Sequence, residues 1–333
     1  KINKATQTIS GGDFSVKVGK TVNLDEKFSA QGELTYSITG ANTTGSSVSG
    51  KVLTVGATTG SFTLKVDAAT TDNYEAANKT VTVTVTAKEV QTVTADDVSA
   101  TYGDTNVKVV GSTNGDGAIT YAVTGVAGVV EVDSNTGALT IKKAGTTSVT
   151  ITAAETSDYA KATKSVTITV AQKDVTITGL GAANKVYDGS NSATVTGTAA
   201  VAGKVGSDDV TVTGGTATFN NKDVGAGKTV TFIGYTLSGT AAGNYNLTAQ
   251  PASVTAEITA KEVTVTGITA ANRAYEKDNL EVTLTSGTLY GVLIGDTVTI
   301  DLTPPARREN HCPKPSAWES RRRIPSCSTR LYR

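Results

Sequence analysis

Val81, Val83 and Val85 alternate with Thr82, Thr84 and Thr86, and the same two-residue rhythm returns at Val166, Ile168 and Val170 and at Val254, Ala256 and Ile258. Alternation of this kind puts one face of an extended strand on a core and leaves threonine, serine and lysine to solvent. It predicts strands at Phe14 to Gly19, Leu34 to Gly40 and Lys51 to Val55, again at Ile119 to Val123, and later at Val210 to Val212 and Thr229 to Phe232. Gly11-Gly12-Asp13, Gly40-Ala41-Asn42 and Gly56 to Gly60 read as turns, because glycine and asparagine accept positive φ cheaply. Long helices are not expected.

Each of the three alternating stretches follows a tyrosine. Asp72-Asn73-Tyr74-Glu75, Ser157-Asp158-Tyr159-Ala160 and Gly243-Asn244-Tyr245-Asn246 place those tyrosines 85 and 86 residues apart. A fixed period means an array of similar units. Gly117 to Gly125 matches Gly32 to Gly40 at an offset of 85, and Ala271-Asn272-Arg273-Ala274-Tyr275 copies Ala183 to Tyr187 at an offset of 88. The expected organisation is therefore repeats at 1–88, 89–173 and 174–261, a truncated repeat at 262–303, and a non-homologous stretch at 304–333, disordered or out of frame. Lys88-Glu89-Val90, Lys173-Asp174-Val175 and Lys261-Glu262-Val263 form the junctions. Such short, charged joints imply adjoining domains with limited bending. The expected fold class is all-β, with tandem immunoglobulin-like β-sandwich domains in an elongated array.

Composition sharpens this picture. Aromatic residues make up 5% of the chain, and valine, threonine, glycine and alanine suit short strands and tight turns. No run approaches the roughly 18 apolar residues of a membrane span, and Lys1 opens neither a methionine start nor a signal segment, so an interior piece of a longer protein is expected. The net charge of zero conceals an asymmetry. Residues 304–333 hold seven arginines and Lys314 against Glu309 and Glu319, an excess of +6 that leaves −6 for the repeats. A mildly acidic body offers no footprint for nucleic acid. Cys312, Cys327 and His311 all lie in that last stretch, so the repeats have no disulfide, no thiolate metal site and no histidine base.

The candidate chemistry is sparse. Gly225-Ala226-Gly227-Lys228-Thr229 looks like the end of a phosphate loop, but Lys222 stands where its first glycine belongs and a strand follows, so a hairpin turn is the reading. Gly179-Leu180-Gly181-Ala182-Ala183-Asn184 echoes a dinucleotide loop without its third glycine or helix. The pairs Asp96-Asp97 and Asp208-Asp209 are either calcium ligands or solvated turn residues. Lys185 beside Asn184 does not by itself make an isopeptide crosslink. Asn42, Asn78 and Asn246 head N-glycosylation patterns. Tyr74, Tyr159 and Tyr245 are either sugar-stacking platforms or corner anchors whose rings fill the core, the second being favoured. No catalytic, cofactor or metal residue is assigned.

Tyr187-Asp188-Gly189, followed by Gly206, Asp208-Asp209-Val210, Phe219, Asp223-Val224-Gly225, Leu237-Ser238-Gly239 and Asn244-Tyr245, resembles the YDG-type repeat of large bacterial surface proteins. That likeness spans 174–261 and, in part, 262–303, where Tyr275-Glu276-Lys277 departs from it. Thr101-Tyr102-Gly103-Asp104 with Tyr159 resembles the related MBG-type repeat over residues 1–173, with Val18-Gly19 as its weaker form in the first unit. The resemblance implies a secreted or cell-wall-attached multidomain protein of the adhesin kind and carries over no catalytic residue. The expected function is a non-catalytic extracellular spacer, monomeric and without membrane insertion or cofactor, whose contacts with glycans or proteins lie elsewhere in the full chain. A glycan-binding module and an accessory segment of a secreted enzyme are the alternatives.

Overall fold

The computed structural model describes residues 2–302 apart from Asp278 and Leu280. The stretch 304–333, with His311, Cys312 and Cys327, lies outside the described residues. The chain is all-β: two single 3-10 turns, Leu24–Glu26 and Ala242–Asn244, are the helical elements among the described residues. By packing it divides into two compact units. One comprises 1–183, 193–218 and 229–255, and the other comprises 184–192, 219–228 and the residues from 256 onward.

The first unit opens with a sandwich of seven strands: β1 (Phe14–Lys17), β2 (Thr21–Asn23), β3 (Leu34–Thr39), β4 (Ser47–Ser49), β5 (Val52–Thr54), β6 (Gly60–Ala68) and β7 (Ala77–Thr86). One sheet has the order β1-β7-β6-β3 and the other β2-β5-β4. The alternation in β7 does what its sequence requires. Val81, Val83 and Val85 are buried beside Leu24, Phe28, Leu53, Phe62, Leu64 and Val66, while Thr82 and Thr84 face solvent. Burial of each such side chain contributes about 1.5–3 kcal/mol. The first and last strands run parallel, with Phe14 opposite Val83 and Lys17 opposite Thr86.

The same design recurs 84–85 residues on. Strands Val98–Thr101, Ala162–Ala171, Gly145–Ala153 and Ile119–Val123 are neighbours in that order, and Val98 pairs in parallel with Ile168. A second core contains Val109, Tyr121, Val149, Ile151, Val166, Ile168 and Val170 and shares no buried residue with the first. Further along, Lys173–Ala182 lies between antiparallel Val195–Ala202 and parallel Tyr245–Leu247, over a cluster of Val175, Val210 and Tyr245.

In the second unit Lys185 and Val186 pair in parallel with Ile258 and Thr259, repeating the parallel closure of the earlier sandwiches. The glycine-lysine stretch is not the predicted turn. Asn221 accepts a bond from the Asp223 backbone and from Lys228, so the reversal occurs at Asn220 to Asp223 and strand Gly225–Ser238 begins at the first glycine. Beyond Ala260, Thr264–Thr266 pairs with Thr288–Tyr290, and Val263, Val265, Ile268, Val282, Leu284 and Tyr290 are exposed.

Candidate functional site: the joints between repeats

The Tyr159 and Tyr245 loops lie where one repeat meets the next, and the Tyr74 and Tyr159 loops are built alike. The chain entering each repeat runs parallel to that repeat's own tyrosine loop. Ala5 bridges Tyr74, Glu89 pairs with Tyr159, and Lys173 pairs with Tyr245. In the first loop Thr71 Oγ1 accepts the Asn73 and Tyr74 N–H groups, and in the second Thr156 Oγ1 accepts those of Asp158 and Tyr159. A buried glutamine ties each of these two loops down. Gln7 Nε2 donates to Ala69 and Glu75 carbonyls at 2.8 Å each, and Gln91 Nε2 donates to those of Ala154 at 2.8 Å and Ala160 at 2.9 Å. Polar groups this deep require such partners. Neither glutamine stands out in an apolar pattern; the signal was the repeated Gln-Thr-Ile and Gln-Thr-Val at an offset of 84.

At the first joint the strand end of one repeat grips the tyrosine loop of the next through charge. Lys17 Nζ lies 2.7 Å from Glu89 Oε1 and 3.1 Å from Asp158 Oδ1, and Lys20 Nζ lies 2.7 Å from the same Asp158 oxygen. The Lys17 ammonium also sits 5.8 Å from the centroid of the Tyr159 ring, a cation–π contact. The Lys20, Ser157 and Lys17 bonds hold Asp158 well below the usual carboxylate range, and the Glu89 bond raises Lys17. An open cleft of about 500 Å³ beside the joint is lined by Phe14, Val22, Lys20, Lys27 and Asp158.

The second joint makes the same contact with neutral groups. Tyr102, which takes the place of Val18 next to Lys17, meets Tyr245, 86 residues after Tyr159, edge to face with centroids 5.5 Å apart and planes at 81°. Both hydroxyls donate to Asp208 Oδ2, Tyr102 at 2.9 Å and Tyr245 at 2.5 Å, and Tyr245 Oη accepts the Val205 N–H at 2.9 Å. Asn244 Oδ1 accepts the Ala144 N–H at 3.0 Å, and Gln172 Nε2 donates to the Gly243 carbonyl at 2.9 Å. Burial and the Asp208 bond push Tyr245 up to about 12, and burial also raises Tyr102. Gly103 has φ +90, and a Cβ there would lie 2.6 Å from Val205 Cγ2, so only glycine lets the backbone approach.

Within the second unit the tyrosine-to-aspartate bond appears again. Tyr187 Oη donates to Asp296 Oδ1 at 2.9 Å, and Gly189, with φ +79, lies against Leu293. Asp188 takes a different part. Its bonds to Lys185 and Ser190 bring it down to about 2 and shape its own turn.

These positions redistribute the sequence candidates. Tyr245 is buried and anchored through its hydroxyl, whereas Tyr74 and Tyr159 are half-exposed and belong to neither core cluster, the Tyr159 ring lying beside Lys17. Asp208 is bound by two tyrosines, and Asp209 Oδ2 accepts the N–H and hydroxyl of Thr240. Asp97 accepts the Thr167 N–H, the part that Asp13 plays toward Thr82 and Asn184 toward Glu257, while Asp96 is exposed. Among the described residues no three metal-ligating side chains converge. Asn184 and Lys185 are engaged with different partners, Lys185 with Asp188 and Ser190. No helix among the described residues is long and apolar enough to cross a membrane.

No curated protein matches the chain significantly. Among solved structures, Drosophila N-cadherin EC1-4 is 11% identical over 78% of this chain and 76% of its own, with a TM-score of 0.29. Mouse cadherin-23 EC22-24 is 10% identical over 77% of this chain and 100% of its own, at 0.25. A SusE-like surface located polysaccharide binding protein from Bacteroides thetaiotaomicron is 15% identical over 62% of this chain and 41% of its own, at 0.22. Likeness at these values carries nothing about function. A family model does match part of the chain, and it falls on the repeat whose tyrosine and aspartate close the neutral joint: residues 171–253 carry a YDG domain.

Proposed function

We propose that the chain is a run of non-catalytic spacer repeats from a bacterial cell-surface protein of the adhesin kind, with MBG-type repeats over 1–173 and YDG-type repeats after them. The observation that carries this reading is the joint made twice with different chemistry. Lys17 on Tyr159 and Tyr102, in the place of Val18 one position further on, against Tyr245 both come from the end of the first strand, so strand end meets tyrosine loop at both joints while the residues and the exact position change. A spacer needs a fixed angle between modules, and that is what a contact at every junction supplies. The part outside this chain would carry adhesion and attachment, at the extracellular surface and without a cofactor.

Small-angle scattering tests the reading. The chain should scatter as one preferred conformation, and the pair Lys17→Ala with Tyr102→Ala should broaden the ensemble while each repeat keeps its strand spectrum. Identical broad scattering from both proteins would sink the spacer reading. Specific retention by one glycan, lost on Tyr159→Ala, would favour a binding module instead.

A further inference from the structure

The two occupied loops define what such a loop receives, and a third loop has the construction of the one at Tyr159. Around Tyr74 the parallel bridge to the entering chain, the Thr71 hydroxyl under two N–H groups and the buried glutamine all match those around Tyr159. Tyr74 is half-exposed, and among the described residues no ring or ammonium stacks on it. We infer that the Asn73-Tyr74 loop is the acceptor half of another joint, and that its occupant is the strand end of a repeat of this kind bearing a tyrosine, as at Tyr102-Gly103.

The choice of occupant follows from the residue before the tyrosine. Asp158 stands there in the ionic joint and binds two lysines, whereas Asn244 stands there in the neutral joint and accepts a backbone N–H. The first repeat has Asn73. An amide oxygen accepts one N–H well but cannot balance two ammonium groups. The ring of Tyr74 then takes a tyrosine edge, as Tyr245 does. Asp72 and Glu75 flank the loop and are exposed, so a lysine end is the competing occupant to be tested.

The inference rests on the joint reading above, and a joint assembles only when linked, because a covalent neighbour supplies a high effective concentration. A copy of residues 89–172 is therefore joined to Ala5, which pairs with Tyr74 as Lys173 pairs with Tyr245, at the head of the rest of the chain. Nitration of Tyr74 by tetranitromethane is then compared with that in the parent. The expected result is a several-fold slower reaction at Tyr74, restored when the tyrosine of the added copy equivalent to Tyr102 is changed to alanine. Unchanged nitration of Tyr74, with Tyr245 still protected, would overturn the inference and leave the joints at Tyr159 and Tyr245 intact. Protection that improves when the residue of the added copy equivalent to Thr101, the place of Lys17, is made lysine would overturn the tyrosine assignment.

Discussion

Asp208 accepts the hydroxyls of both Tyr102 and Tyr245 on one carboxylate oxygen, so a single side chain links the strand end of one repeat to the loop tyrosine of the next. The lysine joint distributes the same task over two ammonium groups and Asp158. The two joints therefore differ in what breaks them.

Tyr245→Phe keeps the edge-to-face contact but leaves the Val205 N–H without its acceptor and Asp208 with one donor fewer. The expected loss is about 1 kcal/mol in urea denaturation, because a part-buried donor loses its acceptor. Tyr159→Phe, at a half-exposed ring, should change stability by no more than about 0.5 kcal/mol. Equal losses from the two variants would refute the distinction.

Gly103→Ala meets both a positive φ and the Val205 side chain. Replacement of glycine where φ is positive costs about 1–2 kcal/mol, and the clash adds to it. Scattering should broaden for this variant, whereas Gly19→Ala, where a Cβ meets open space, should pay only the backbone strain and leave the joint closed.

Salt should act on one joint alone. The Debye length shrinks from about 10 Å at 0.1 M to about 3 Å at 1 M, which weakens exposed pairs such as Lys17 with Glu89. Nitration of Tyr159 should accelerate across that range while Tyr245 stays protected. Acid should loosen the same joint, and scattering should broaden. Asp158 is depressed in the folded state, so its contribution is complete above the ordinary carboxylate value of about 4 and is lost as pH falls below that value.

Alkali should open the other joint. Tyr245 is raised to about 12 from an unfolded value of about 10, so its contribution is complete below pH 10 and is lost between about pH 10 and 12. Ultraviolet phenolate titration should show Tyr245 ionising together with loss of near-ultraviolet dichroism. Ionisation at pH 10 with no structural change would contradict this.

The strands were legible because the demand on them is local: Val81, Val83 and Val85 declare a buried face within six residues. The repeat period exposed the tyrosine loops for a similar reason. Their role was hidden because a contact such as Lys17 to Asp158 links positions on two different repeats, and no alternation records which strand end faces which loop. All three loop tyrosines read as core residues by analogy with the corner tyrosine of Greek-key sandwiches, yet Tyr245 alone of the three is buried. Gln7 and Gln91 were missed because a buried amide interrupts the apolar pattern, and the repeated Gln-Thr pair that marked them says nothing of the carbonyls they bond.

In the first sandwich the opening strand Phe14–Lys17 and the closing strand Val83 to Thr86 run in the same direction, joined residue by residue. Tension applied at the two ends of that repeat pulls those strands past one another along their length. All four residue pairs are then loaded together instead of opening one at a time like a zip. The second sandwich, with Val98 to Thr101 against Ile168 to Ala171, has the same arrangement. A chain of such modules resists traction through backbone geometry, whatever the surface side chains bind.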